Sequence, residues 1–200
     1  DGAALAFLRS EFPELKIITL PSYKIRYSKG NTQIWAMLRS FPAIIFGIFR
    51  EHYWLKKLLK NEYFNLEVSD NRFGLWTRKT NCVYITHQLM VKMPKFLKWL
   101  EKPIWRFHRF FISKYNECLI PDFEGKENLS GDLSHKYPLP QNARFIGPLS
   151  RFTNIKVEKT ENSFDIVAII SGPEPQRTIF EHQIIERYKK SIQKVLIVCG

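Results

Sequence analysis

Sulfur ligands are scarce in this sequence. Three cysteines, Cys82, Cys118 and Cys199, are spread over 200 residues, with no CxxC pair and no histidine at ligand spacing. That pattern disfavours a disulfide framework or a zinc site and predicts buried thiols in a reducing cytoplasm. Long apolar runs are missing too. The longest, residues 41–49, contains Pro42 and Gly47 and falls well short of the roughly 20 residues that span a bilayer. Neither a Walker A pattern nor GxGxxG occurs, so those two nucleotide-binding fingerprints are excluded. No DxD and no His/Asp cluster at ligand spacing is present, and neither a metal nor a resident cofactor is expected. Acid is in short supply: 19 Asp and Glu face 31 Lys and Arg, for a net charge of +12. Residues 1–150 hold 23 of those bases and 13 of those acids. Such a surface attracts phosphate-rich partners, whether nucleic acid, anionic lipid or nucleotide, and says nothing about fold.

What is present reads as α/β. Hydrophobic residues make up 44% of the chain, ample for a packed core. Residues 2–11 read as a helix, 15–20 as a strand and 21–30 as a basic, Tyr-containing loop. A long helical region follows over 32–60, kinked or divided at Pro42. Strands are expected at 66–68, 82–86, 117–123 and 143–146, with 124–141 a polar surface loop. The tract 153–163, TNIKVEKTENS, reads as a linker. It separates a first Rossmann-like parallel-sheet domain, residues 1–152, from the beginning of a second over 164–200. The opening helix with no strand before it and the close on KVLIVCG read as an internal piece of a longer α/β chain.

The chain is organised around residues 164–185. Residues 164–170 are an apolar, β-branched run expected to be a strand buried on both faces. SGPEP then breaks the pattern, and apolar spacing over 176–188 resumes as a helix. A helix N-terminus beside a strand's carboxyl end suits an anion. Gly172 allows close backbone approach, Ser171 and Thr178 carry hydroxyls, Gln176 opens the helix and Arg177 offers a planar cation. An ordinary βα turn with a solvated Arg is the alternative. Two earlier strands also finish in polar side chains: Asp70, Asn71 and Arg72 after one, Thr86, His87 and Gln88 after the next. Asp70 or His87 at such a position can take a proton from an attacking hydroxyl, or serve only as turn and scaffold.

Between 92 and 114, seven bases meet one acid, Glu101, and aromatics are interleaved. Three readings stay open for Lys95, Lys98, Trp99, Lys102, Trp105 and Arg106: a membrane interface with rings at headgroup depth, stacking on nucleic acid, or a core of aromatics with only the cations showing.

The succession SDNRFG, ITHQL, a helix, ECLIPDF, ARFIGPLSRF, a linker and DIVAIISGPEPQRTIFE resembles bacterial glycosyltransferases of the two-Rossmann-domain type, the GT-B fold. Within them it is similar to the family 28-related, MurG-like group, in particular its Bacteroidetes-type members. The resemblance implies transfer of a sugar from a nucleotide-diphosphate sugar, UDP-linked by expectation, to a hydroxyl, by inverting displacement without a bound metal. It implies His87 or Asp70 as base or acceptor contact, and Ser171, Gly172, Gln176, Arg177 and Thr178 as donor-diphosphate contacts. The expected partners are the nucleotide sugar, an anionic membrane surface and a lipid-linked acceptor, with nucleic acid disfavoured. The expected place is the cytoplasm, peripheral on the inner face of the membrane. In the family pattern an acceptor loop precedes Asp1 and a donor-recognition helix follows Gly200, so this stretch alone is expected to be inactive. Rival readings are a sugar-nucleotide epimerase of the same fold and a basic, non-enzymatic binding module.

Overall fold

The computed structural model describes residues 2–20, 33–150, 163–172 and 174–199. The chain divides into two compact units, Asp1–Ser150 and Arg151–Gly200. The expected loop at 21–30, and the expected linker at 153–163 apart from Ser163, lie outside the described residues.

In the first unit, α1 (Gly2–Glu11) is followed by residues 15–20, which form no strand. LKIITL has strand composition, but a strand exists only where a neighbour takes its hydrogen bonds. Next comes α2 (Gln33–Asn61), one 29-residue helix that runs through Pro42 rather than dividing there. Four strands then pair in parallel: β1 (Leu66–Asp70), β2 (Asn81–Ile85), β3 (Glu117–Ile120) and β4 (Ala143–Phe145), in spatial order 1-2-3-4. Between β2 and β3 lie a short 3-10 helix, Lys95–Leu100, and α3 (Glu101–Ile112); the β3–β4 connection carries a single helical turn, α4 (Asp132–His135). Because all four strands run one way, their carboxyl ends line up along one edge.

Period-two alternation decides which strand residues form the core. Cys82 and Tyr84 of β2 and Cys118 and Ile120 of β3 point to one face. There they close with Leu89, Ile112 and Tyr115, while Phe73, Trp76, Leu139 and Phe145 pack around them. Trp105, expected on a surface, belongs inside. It is only 8% exposed and stacks on Tyr137 at 5.1 Å.

α2 lies along the β1–β2 connection. An added Cβ on Gly74 would stand 2.6 Å from the Glu51 Cβ, so only glycine lets the connection approach the helix this closely. Arg72 pairs with the fully buried Glu51 at 3.0 Å, His52 stacks on Trp76 at 4.0 Å, and Lys79 donates to the Leu59 carbonyl at 3.2 Å. Burial pushes the Glu51 carboxyl up, with Arg72 opposing it.

The second unit is β5 (Ile166–Ile170), α5 (Gln176–Tyr188) and β6 (Val195–Cys199), with β5 and β6 paired in parallel. Ile170 is buried, but Val167 and Ile169 are exposed, the latter by 73%. The strand expected to be buried on both faces is therefore covered on one, the other face being bare in this unit. Cys199 is exposed, unlike Cys82 and Cys118, whose thiols burial pushes up to about 11 and about 12.

Candidate functional site

The carboxyl edge of the four-stranded sheet gathers the polar side chains picked out by sequence. The ladder continues past the strands: the Asn71 amide donates to the Ile85 carbonyl at 3.0 Å and the Thr86 amide to the Leu119 carbonyl at 3.1 Å. Asn71 then turns through the left-handed region, φ 53°, which asparagine tolerates better than most side chains. Its Oδ1 accepts the Thr86 hydroxyl at 3.1 Å and the Tyr84 hydroxyl at 3.4 Å. Thr86 Oγ1 in turn accepts the Gln88 amide at 3.0 Å. This clasp ties the two strand ends together and leaves His87 at the apex between its anchored neighbours. Asp70 and His87 are both exposed, and neither side chain has a protein partner among the described residues. A carboxylate and an imidazole thus stand free on rigid, adjacent supports.

Three further groups hold this edge, and sequence reading did not assign them. The carbonyl of Arg72 accepts both Ser69 Oγ at 2.8 Å and the Tyr115 hydroxyl at 2.6 Å, fixing the turn after β1. His108, on α3, sits beside the Gln88 and Leu89 backbone. Burial pushes its imidazole down to about 4, with that backbone pulling the other way, so it is a neutral prop for the loop bearing His87. Asp122, just past β3, accepts the amides of Phe123 and Leu129 at 2.8 Å and of Ser130 at 2.9 Å, together with the Ser130 hydroxyl. Burial alone would raise this carboxyl; those donors outweigh it and hold the group well below the usual range.

His135 meets Asp122 at 3.2 Å and stacks on Phe145 at 4.7 Å. Serine, histidine and aspartate thus meet here in the wrong order for nucleophilic catalysis. The carboxylate lies in the middle, and Ser130 bonds to it instead of to the imidazole that would activate it. This is a staple for the 122–135 loop, which in sequence shows only as a strand end followed by a polar surface loop.

At the other predicted site, the bend after β5 is capped from within. Gly172 adopts φ 126°, the conformation that favours glycine. Glu174, however, reaches over the start of α5. Its carboxylate accepts the Thr178 hydroxyl at 2.7 Å and pairs with Arg177 at 2.6 Å. The carboxyl is held below its usual range by the Thr178 hydroxyl first, then by Arg177. The donors expected for a diphosphate therefore already hold an anion. Ser171 and Gln176 are exposed beside them.

The basic aromatic tract divides in two. Phe96 is 68% and Trp99 69% exposed, with Lys95, Lys98, Lys102 and Arg106 also exposed. Trp105 and Phe111 face the core instead. Glu101, the tract's lone acid, is buried; it accepts the Met93 amide at 2.9 Å and pairs with Lys136, fixing the start of α3. Among the described residues no helix is long and apolar enough to cross a membrane, and no cluster of three potential metal ligands occurs. No protein-family model, no curated protein and no solved structure matches this chain.

Proposed function

We propose that this chain builds the acceptor side, and the start of the donor side, of a GT-B-type glycosyltransferase that moves a sugar from a UDP-sugar to a hydroxyl of a lipid-linked acceptor. The observation that carries the reading is the pair Asp70 and His87, free and exposed on two clasped parallel-strand ends. That is where an α/β sheet offers its ligand crevice. Either group can accept the proton of an attacking hydroxyl, and the bystander orients the acceptor. In the second unit, taken by itself, Arg177, Thr178 and the α5 amino end are the diphosphate contacts of this reading, the diphosphate taking the place of the Glu174 carboxylate; a more highly charged anion competes for the same donors. Leaving-group stabilisation by fixed cations and amides calls for no metal. Phe96 and Trp99 among Lys95, Lys98, Lys102 and Arg106 suit the headgroup layer where a lipid-linked acceptor lies, which supports a peripheral protein on the inner face of the membrane.

The Glu174 cap favours one second reading, a basic binding module with no transfer chemistry. UDP release from a UDP-sugar by the full-length protein separates the readings. Transfer predicts release that depends on the acceptor. Conversion of the donor without acceptor means an epimerase, and no turnover with either means a binding module.

A further inference from the structure

The opposite edge of the same sheet carries a cavity. Where β1, β2 and β3 begin, an open polar cavity of about 560 Å³ is lined by Arg78, Lys79 and Lys114 together with Tyr63, Thr80 and Asn81. It lies a strand's length from Asp70 and His87, roughly 15 Å at about 3.3 Å per residue over five residues. Among the described residues three cations line it and no carboxylate does. Of the acids nearest in sequence, Glu62 pairs with Lys16 at 2.6 Å and Glu117 pairs with Arg144, while burial pushes the Glu67 carboxyl, two residues from the lining Asn65, up to about 7. Lys79 donates to a carbonyl of α2, and Lys114 lies 4.5 Å from the Phe110 ring centre, so neither is neutralised by an acid. Arg78 is exposed and has no partner among the described residues. Tyr63, 84% exposed, presents a bare ring in the same lining.

We infer that this cavity binds a phosphate-bearing small molecule of nucleotide size, its phosphate held by Arg78 and Lys114 and its ring laid on Tyr63. Guanidinium pairs two phosphate oxygens and ammonium adds a point charge. The volume falls within the range of small-molecule sites. An aromatic face next to a cationic groove is how bases are stacked without sequence readout. This inference does not rest on the sugar-transfer reading, because the two sites share no residue.

The test is calorimetric titration of the whole chain with AMP, with adenosine as the phosphate-free control. Saturable AMP binding, absent for adenosine, is expected to weaken about tenfold or more in each of Arg78→Ala and Lys114→Ala, the scale of a charge-assisted hydrogen bond. It is expected to fall as salt rises and to be unchanged in Arg177→Ala and His87→Ala. Arg78→Gln, which keeps the stem on an exposed position, guards against a folding artefact and should lose affinity equally. Absence of saturable binding at millimolar AMP overturns the inference, as does wild-type affinity in the Arg78 and Lys114 variants, or loss in Arg177→Ala.

Discussion

Glu67 is the residue that most directly exposes the cost of the fold. It faces Cys82 across the β1–β2 ladder, one carboxyl oxygen is buried without a partner, and burial lifts the group from 4.5 to about 7. The folded chain therefore holds a proton that the unfolded chain releases at lower pH. Stability from this group is fully present below about pH 4.5 and is lost as pH rises to about 7. Glu67→Gln mimics the protonated form. Thermal melts should coincide with wild type near pH 4.5 and show the variant melting higher at pH 8; equal melting temperatures at both would refute this. The same scale explains part of what sequence could not supply. A Thr, an Asn and a His beside a strand end were legible as polar punctuation. That Thr86 and Asn71 bond to each other while His87 stays free depends on parallel register between strands ten residues apart, which no local pattern encodes.

At the scale of elements, α2 and α3 carry the argument. The approach of α2 to the β1–β2 connection is set by Gly74, so Gly74→Ala must push the connection away from α2 and loosen the Arg72–Glu51 pair. We expect a loss of about 1–3 kcal/mol, the usual cost of overpacking, in urea unfolding. An unchanged midpoint would show that the contact is loose. α3 sorts its aromatics by face: Trp105 and Phe111 inward, with Phe96 and Trp99 of the preceding turn outward. Composition alone could not make that division, because a Trp serves core and interface equally well. Trp99→Ala with Lys98→Glu should abolish flotation with vesicles containing anionic lipid, while neutral vesicles bind weakly throughout. Binding indifferent to lipid charge and to both changes would remove the membrane role. Helix bounds read easily where periodicity was strong, as in α5, whose limits match the expected 176–188. The failed strand at 15–20 shows the converse, since strand existence is a property of pairs.

Across the whole molecule, sequence carried the α/β class and the parallel order of elements, because apolar runs alternate with helical spacing throughout. It did not carry the state of the 171–178 bend. Glu174 read as part of a turn, and only three-dimensional geometry turns it into the cap on the donors of Arg177 and Thr178. Excess positive charge, visible from composition, is resolved into separate places: an aromatic surface around Trp99 and a cavity around Arg78. We propose that Asp70 or His87 at the carboxyl edge takes the proton from the acceptor hydroxyl during sugar displacement. The most direct test is the pH dependence of acceptor-dependent UDP release by the full-length protein, wild type against His87→Ala and Asp70→Asn. One variant is expected to lose roughly 10²–10⁴-fold in kcat, with the acid limb of the profile removed, and the other to raise KM for the acceptor. Wild-type kcat, KM and pH profile in both variants would contradict it.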